Sequence, residues 1–207
     1  MNQIVPVIFN IEELEKKAVT DGLACYLLGR SYDSSENGVD QDLEKAVYWY
    51  QEGAKKGDPR AIYGLGACYY FGDGVLKDEN KAYELFISAY PLLLDLIEKE
   101  KEYPKRQAFS IFCLGAYYYF GFGDVKEDKR RAFELISDAA EKGHIAAIYD
   151  LGANFYYTGT GTKQDLDKSK YYLELAASYN LPRAKTKLLT YQESYLKYKK
   201  NYRGLYI

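Results

Sequence analysis

The sequence has 207 residues, enough for one domain or one continuous array of repeats. It carries 28 lysine and arginine residues against 30 aspartate and glutamate residues, so net charge favours neither nucleic acid nor an anionic membrane as a partner. No apolar run approaches the roughly 20 residues of a membrane helix, and residues 1–6 lack the basic start and apolar core of a secretion signal.

The first twenty residues are predicted to form an N-terminal cap. Residues 1–9 are short and apolar, which suits an extended arm on the first repeat. The run from Asn10 to Glu13 resembles a capping box, in which Asn10 caps a helix to about Val19 and Glu13 reaches back to it. Such a helix would shield the apolar end of whatever follows.

Four copies of one pattern follow the cap. Each copy holds a Leu-Gly pair, and the glycines of these pairs are 37, 49 and 37 residues apart: Leu28-Gly29, Leu65-Gly66, Leu114-Gly115 and Leu151-Gly152. A period in this range indicates a helical solenoid. In the second copy Ala61, Leu65 and Tyr69 lie at i, i+4 and i+8, which is one stripe of a helix.

A turn and a second helix complete each copy. The turns carry closely spaced glycines that suit positive φ angles: Gly72 and Gly74, Gly121 and Gly123, Gly159 and Gly161, with only Gly38 in the first copy. An aspartate then stands where it can cap the second helix: Asp42, Asp78, Asp128 and Asp165. The second helices end at Gly57, Gly143 and Asn180, residues that tolerate a left-handed cap.

The run from Leu65 to Ala82 reads Leu-Gly-x-x-Tyr-x-x-Gly-x-Gly-Val-x-x-Asp-x-x-Lys-Ala and resembles the Sel1-like repeat, a relative of the tetratricopeptide repeat. The copies at Leu114 and Leu151 match well, the copy at Leu28 less well, and the resemblance covers about residues 20–180. It implies an all-α, right-handed α-solenoid of about four helix-turn-helix repeats with capping helices at both ends. It also implies an adaptor or scaffold that holds partners on a concave surface, and not an enzyme.

We predict a single array over residues 1–207. Its parts are a cap at 1–20, repeats at about 21–57, 58–104, 105–143 and 144–180, and a C-terminal capping helix at 181–203. Repeat 2 has about twelve extra residues near 91–102, interpreted as a lengthened or kinked second helix with Pro91 as the kink or restart. Residues 98–102 read as a solvated charge run. The insertion would either pack between repeats 2 and 3 or protrude as a contact element.

The two ends of the array differ in charge. The turn from Asp33 to Glu44 has five acids and no base, whereas the last helix is basic: Arg183, Lys185, Lys187, Lys197, Lys199, Lys200 and Arg203. One interpretation is polar capping. The other is a docking site for an acidic partner or nucleic acid through charge steering, although nucleic acid is disfavoured by the balanced net charge.

Tyrosine is unusually abundant, with 24 residues. At 100° per residue Tyr63 and Tyr70 lie roughly opposite Leu65 on their helix, and first helices line the inner curve of related solenoids. We therefore predict an aromatic ladder with nearby polar groups that binds a protein or peptide partner: Tyr26, Tyr63, Tyr70, Phe112, Tyr119, Tyr149, Asp150, Asn154 and Tyr156. The alternative is that neighbouring repeats bury these rings.

The cysteine and histidine residues do not indicate catalysis or metal binding. Cys25, Cys68 and Cys113 form no CxxC pair and fall in predicted first helices, so we expect buried thiols and the reducing cytoplasm as compartment. His144 is the only histidine and is expected at an exposed helix start. We predict no catalytic residue, metal site or cofactor.

The leading hypothesis is therefore a non-catalytic, cytoplasmic interaction scaffold. The alternative, from fold analogy alone, is a specific inhibitor or immunity-type protein that masks one toxin or enzyme. An inhibitor would show one very tight partner, whereas an adaptor would show several weaker ones.

Overall fold

The computed structural model describes residue 4 and residues 7–191 of the chain. Helices are the only regular secondary structure in this part, as predicted. They are α1 Ile11–Ala18, α2 Gly22–Ser34, α3 Leu43–Lys55, α4 Pro59–Phe71, α5 Glu79–Lys99, α6 Pro104–Phe120, α7 Lys129–Glu141, α8 Ile145–Asp150 with its π-helical continuation Leu151–Tyr156, and α9 Leu166–Ser178. A further helix, α10, begins at residue 182 and is described to residue 191.

The helices form four stacked hairpins: α2 with α3, α4 with α5, α6 with α7, and α8 with α9. Each second helix also packs on the first helix of the next hairpin. The buried apolar residues form one cluster over the cap and repeats 1–3 and a second over repeats 3 and 4, and this stack of helix hairpins confirms the all-α solenoid. At the C-terminal end Leu181 and Ala184 join the second cluster, and the Tyr191 hydroxyl donates to the Leu166 carbonyl at 2.5 Å. The predicted basic residues Lys197, Lys199, Lys200 and Arg203 lie outside the described residues.

The predicted aspartate caps of the second helices are confirmed. A carboxylate oxygen of each aspartate accepts the backbone N–H three residues later at 2.9–3.0 Å, in all four repeats: Asp42, Asp78, Asp128 and Asp165. Asn10 likewise caps α1 by accepting the Glu13 N–H at 3.0 Å. The second half of the predicted capping box is wrong, because the Glu13 carboxylate instead accepts from Lys17 Nζ at 2.6 Å.

The Leu-Gly pairs let the two helices of a hairpin cross closely. A methyl group at Gly66 would lie 2.8 Å from the Phe86 ring, and one at Gly115 would lie 2.7 Å from Ile136. In repeat 4 the equivalent helix widens into the π-helical segment. There the Ser169 hydroxyl donates to the Gly152 carbonyl at 2.8 Å, which gives a partner to one carbonyl in the irregular turn.

The extra residues of repeat 2 lengthen its second helix. Helix α5 runs for 21 residues and contains Pro91 without a break, so a restart at this proline is not observed. The interpretation of residues 98–102 as a solvated run is wrong for Glu100, which is only 5% exposed. Its carboxylate accepts from Arg60 Nη1 at 3.0 Å and from Ser110 Oγ at 3.1 Å, so the extension is tied to the start of α4 and to the interior of α6.

The N-terminal segment contacts more than the first repeat on which it was expected to lie. The Phe9 N–H donates to Asn37 Oδ1 at 3.1 Å in repeat 1. The Val7 N–H donates to the Gly143 carbonyl at 3.2 Å, at the end of α7. These few residues therefore reach from repeat 1 to the junction of repeats 3 and 4, which shows how tightly the array curves.

Candidate partner-binding face

The first helices of the repeats lie against one another. Helix α2 packs on α4, and α4 packs on α6. Repeat 1 also reaches the later repeats directly, because Tyr26 Oη lies 3.5 Å from Cys113 Sγ and Arg30 Nη1 lies 2.8 Å from His144 Nε2. Contacts over such a separation place the first helices on the short side of the curve.

A cavity of about 490 Å³ opens between these helices. Aromatic rings form much of its wall: Tyr26, Tyr50, Tyr63, Phe71 and Phe112. Four charged side chains also line it: Arg30, Asp33, Asp73 and Arg183. We call the side of α2, α4, α6 and α8 that carries this cavity the first-helix face.

Two aromatic side chains are exposed at the ends of the first helices. Phe71, at the end of α4, is 49% exposed, and Phe120, at the end of α6, is 44% exposed. Their ring centroids are 5.7 Å apart. Phe71 also lines the cavity, so the pair continues the aromatic wall onto the open surface.

Three of the sequence-predicted residues meet at the cavity: Tyr26, Tyr63 and Phe112. Tyr26 is only 1% exposed and belongs to the core beneath it. The Tyr63 ring packs 6.0 Å from Phe86 of the same repeat and 6.4 Å from Phe122 of the next. Neighbouring repeats therefore bury much of these rings.

The predicted residues of repeats 2 and 3 outside the cavity are half-buried. The Tyr70 ring packs edge-on against Phe122 at 5.1 Å. Tyr119 packs edge-on against Phe155 at 5.6 Å. Each of these tyrosines therefore joins one repeat to its neighbour or to the following turn, and the exposed ring is the one at the next position, Phe71 or Phe120.

The predicted residues of repeat 4 form a separate group. The Arg183 guanidinium lies 4.4 Å from the centre of the Tyr149 ring. The Asp150 carboxylate accepts from Asn154 Nδ2 at 3.1 Å. Farther along the helix, Tyr156 stacks on Tyr172 with ring centroids 5.5 Å apart.

The expectation that His144 is exposed is wrong. The residue is 1% exposed, and its ring stacks on Phe112 at 4.2 Å. Arg30 Nη1 points at one ring nitrogen and the Ala147 N–H at the other, at 3.2 Å. Burial, together with the charge of Arg30, holds the pKa of His144 well below its usual value, so the ring is neutral.

Burial disfavours the charged form of two carboxylates near the cavity. Burial raises the pKa of Asp33, although Arg30 and Arg183 oppose the rise. Burial also raises the pKa of Asp150 to about 6. Desolvation is the largest cause in both cases, so burial disfavours the charged forms even though Arg30 and Arg183 act to stabilise them.

The sequence profile of the Sel1 repeat matches residues 22–58, 59–90, 109–144 and 145–178. The chain belongs to the Sel1 repeat family. Each matched segment holds most or all of one helix hairpin. The gap between the second and third segments contains the end of α5 and the start of α6. Sel1 repeats are non-catalytic scaffold repeats that generally mediate protein–protein interaction.

Three known proteins show the range of similarity to this Sel1 repeat chain. The chitin synthase regulator SKT5 of Saccharomyces cerevisiae is 37% identical over 65 residues, which cover 30% of this chain and 9% of that protein. A Sel1 repeat protein from Oxalobacter formigenes is 26% identical, with a TM-score of 0.44 over 84% of this chain and 72% of that chain. A putative Sel1 repeat protein from Klebsiella pneumoniae is 16% identical, with a TM-score of 0.46 over 88% and 83%.

Within the described residues, no group of three or more histidine, cysteine, aspartate or glutamate side chains is arranged to hold a metal ion. The three cysteines are buried and unpaired, as expected for this Sel1 repeat chain. None of the described helices combines the length and the apolar character needed to cross a membrane.

Sequence reasoning missed several residues of the site, most clearly Arg30 and Asp73. A signal for Arg30 was present, since it is the one charged residue between Gly22 and Tyr32 in an otherwise largely apolar helix. Asp73 sits between two turn glycines and had no such signal, because its place at the cavity depends on how repeat 2 stacks on repeat 1.

Proposed function

We propose that this Sel1 repeat chain is a non-catalytic scaffold that binds a protein or peptide partner on its first-helix face. The observation that carries the proposal is the exposed pair Phe71 and Phe120 beside the open aromatic cavity. Exposed aromatic side chains next to a preformed pocket are typical anchors of protein interfaces. The name of the yeast relative, a regulator of a chitin synthase, fits a binding role of this kind.

The predicted aromatic ladder takes two roles in this proposal. Tyr63 and Phe112 line the cavity and would contact a side chain that enters it. Tyr70 and Tyr119 pack between structural elements and would hold Phe71 and Phe120 in place. Phe71 and Phe120 are therefore the positions at which binding can be tested with the least damage to the fold.

The test is affinity capture from extracts of the source organism, followed by mass spectrometry. The Phe71→Ala, Phe120→Ala double variant should lose the partners that the wild-type chain captures. The matched control is the Tyr48→Ala, Tyr171→Ala double variant, since both tyrosines are exposed, by 53% and 41%, on second helices. If the phenylalanine variant keeps its helical circular dichroism and also keeps every partner, the first-helix face is not the binding surface.

A further inference from the structure

The cavity on the first-helix face presents hydrogen-bond acceptors that lack partners. Asp33 and Asp73 both line it, and among the described residues neither carboxylate makes a hydrogen bond or ion pair. The two groups are close enough for the charge of Asp73 to contribute to the raised pKa of Asp33. Two unpaired carboxylates facing one cavity favour a positively charged occupant.

A second, independent feature is the hydroxyl of Tyr50. This side chain is 3% exposed, lines the cavity and makes no hydrogen bond in the described part of the chain. The Tyr63 hydroxyl lines the same cavity and is likewise without a partner there. Neither hydroxyl is among the fully buried polar atoms of the described residues, so both can be reached from the cavity and can accept a hydrogen bond from an occupant.

The charge balance around the cavity points in the same direction. Four carboxylates interact here, those of Asp33, Glu36, Asp73 and Asp150, against the guanidinium groups of Arg30 and Arg183. Arg30 is already paired with Glu36. Arg183 stacks on the Tyr149 ring. The Nε atoms of both arginines lack partners, but both are shielded from solvent, so an occupant of the cavity does not reach them.

We infer that the cavity receives a cationic side chain, lysine or arginine, from the partner. The ammonium or guanidinium group would donate to Asp33 and Asp73, and the aromatic rings of the wall would contact its charged face and its alkyl stem. The cavity volume of about 490 Å³ falls within the range of ordinary ligand pockets, ~300–1,000 Å³. The inference rests on the proposed function, and it adds the chemistry of the partner: a segment with an exposed basic residue.

The test uses single amino-acid probes in place of the unidentified partner. The ¹⁵N-labelled chain is titrated with Nα-acetyl-arginine amide, Nα-acetyl-lysine amide and Nα-acetyl-glutamate amide, and the amide signals of Gly64, Ala67 and Asp73, which line the cavity, are followed by NMR. The basic probes should shift these signals saturably. The Asp33→Asn, Asp73→Asn double variant should bind them at least about tenfold more weakly.

A matched control separates local recognition from overall charge. Asp40 and Glu102 are exposed and outside the cavity lining, and the Asp40→Asn, Glu102→Gln variant removes the same two charges. It should bind the basic probes within about twofold of wild type, because exposed distant charges are screened. The cavity variant should remain folded, since removing unpaired, partly buried carboxylates relieves desolvation.

Three results would overturn the inference: preference for the glutamate probe, undiminished binding of basic probes to the cavity variant, or no saturable shift with any probe. None of these would remove the proposed function, which fails only if the Phe71→Ala, Phe120→Ala variant keeps its partners. Conversely, the basic probes could bind as expected while that variant keeps its partners. The chain would then have a cation-binding pocket on a face that is not the partner site.

Discussion

Replacing Glu100 with glutamine tests whether the extension of α5 is a structural element. Glu100 is 5% exposed and accepts from Arg60 Nη1 at 3.0 and 3.2 Å, and from Ser110 Oγ at 3.1 Å. Arg60 is 2% exposed and also binds Asp58, with Nη2 at 2.6 Å from Oδ2. The carboxylate therefore compensates part of a buried charge where repeat 2 meets repeat 3.

The expected loss follows from what remains in the variant. Removing one partner of a buried ion pair costs about 3–5 kcal/mol when the other charge is left alone. In Glu100→Gln the Asp58 carboxylate still neutralises Arg60, and the amide oxygen still accepts one hydrogen bond. We therefore expect the free energy of unfolding to fall by about 2–3 kcal/mol.

The assay is urea denaturation at pH 7 followed by circular dichroism. Glu102→Gln is the matched control, because this residue belongs to the same charge run but is exposed, and its effect should stay within about 0.5 kcal/mol. A Glu100→Gln variant as stable as the control would refute the reasoning. The extension would then be free to serve as a protruding contact element.

Two further predictions concern the turns and the pH dependence. Gly74→Ala should lower the free energy of unfolding by about 2–3 kcal/mol, because φ is +71° and the new methyl group would overlap the Leu43 carbonyl oxygen of repeat 1. The control, Gly57→Ala, has φ +76° with open space around it and should lower the free energy of unfolding by only about 1 kcal/mol. Equal losses in chemical denaturation would argue against the contact between repeats 1 and 2. Burial raises the pKa of Asp150 from 3.8 to about 6 in the folded chain, so the folded chain binds a proton at this carboxyl more tightly than the unfolded chain does. The stability that this proton contributes is complete below about pH 4, and it falls by about 3 kcal/mol as the pH rises to about 6. Asp150→Asn should remove this part of the fall. The raised pKa of Asp33, which acts in the same direction, and the lowered pKa of His144, which makes stability rise with pH up to about 6.5, remain in the variant. Parallel stability curves for variant and wild type would contradict this.

The architecture was predictable because its determinants are local and repeated. The spacing of the Leu-Gly pairs predicts the hairpins, and the aspartate before each second helix predicts a cap that the structure confirms in all four repeats. The positive φ of Gly74 and of the other turn glycines also follows from sequence, since no other residue type adopts it as readily.

The errors arise at contacts between residues that are far apart in the sequence. His144 occupies a linker position that local pattern places in solvent, but the curvature of the array brings Arg30 against its ring. Glu100 lies in an alternating charge run, and only the fold brings Arg60 to it across 40 residues. Neither contact involves positions of the repeat motif, so the periodicity of the sequence could not show it.

The candidate site was predicted at the level of the helix but not of the side chain. The sequence pattern selects the side of α4 and α6 on which we propose the site, with Tyr70 and Tyr119 as its aromatic residues. The structure exposes the next residues instead, Phe71 and Phe120, because the tyrosine rings pack on Phe122 and Phe155. A rotation of one residue, about 100°, is set by packing with the neighbouring repeat.

Site-specific photo-crosslinking measures the location of the partner most directly. The photoreactive amino acid p-benzoylphenylalanine would replace Phe71 on the first-helix face in one preparation and Tyr48 on the second-helix side in another, since both positions are about half exposed. After irradiation in extract, covalent adducts with a protein partner should form from position 71 and not from position 48. Adducts from position 48 with none from position 71 would contradict the assignment of the first-helix face as the binding surface.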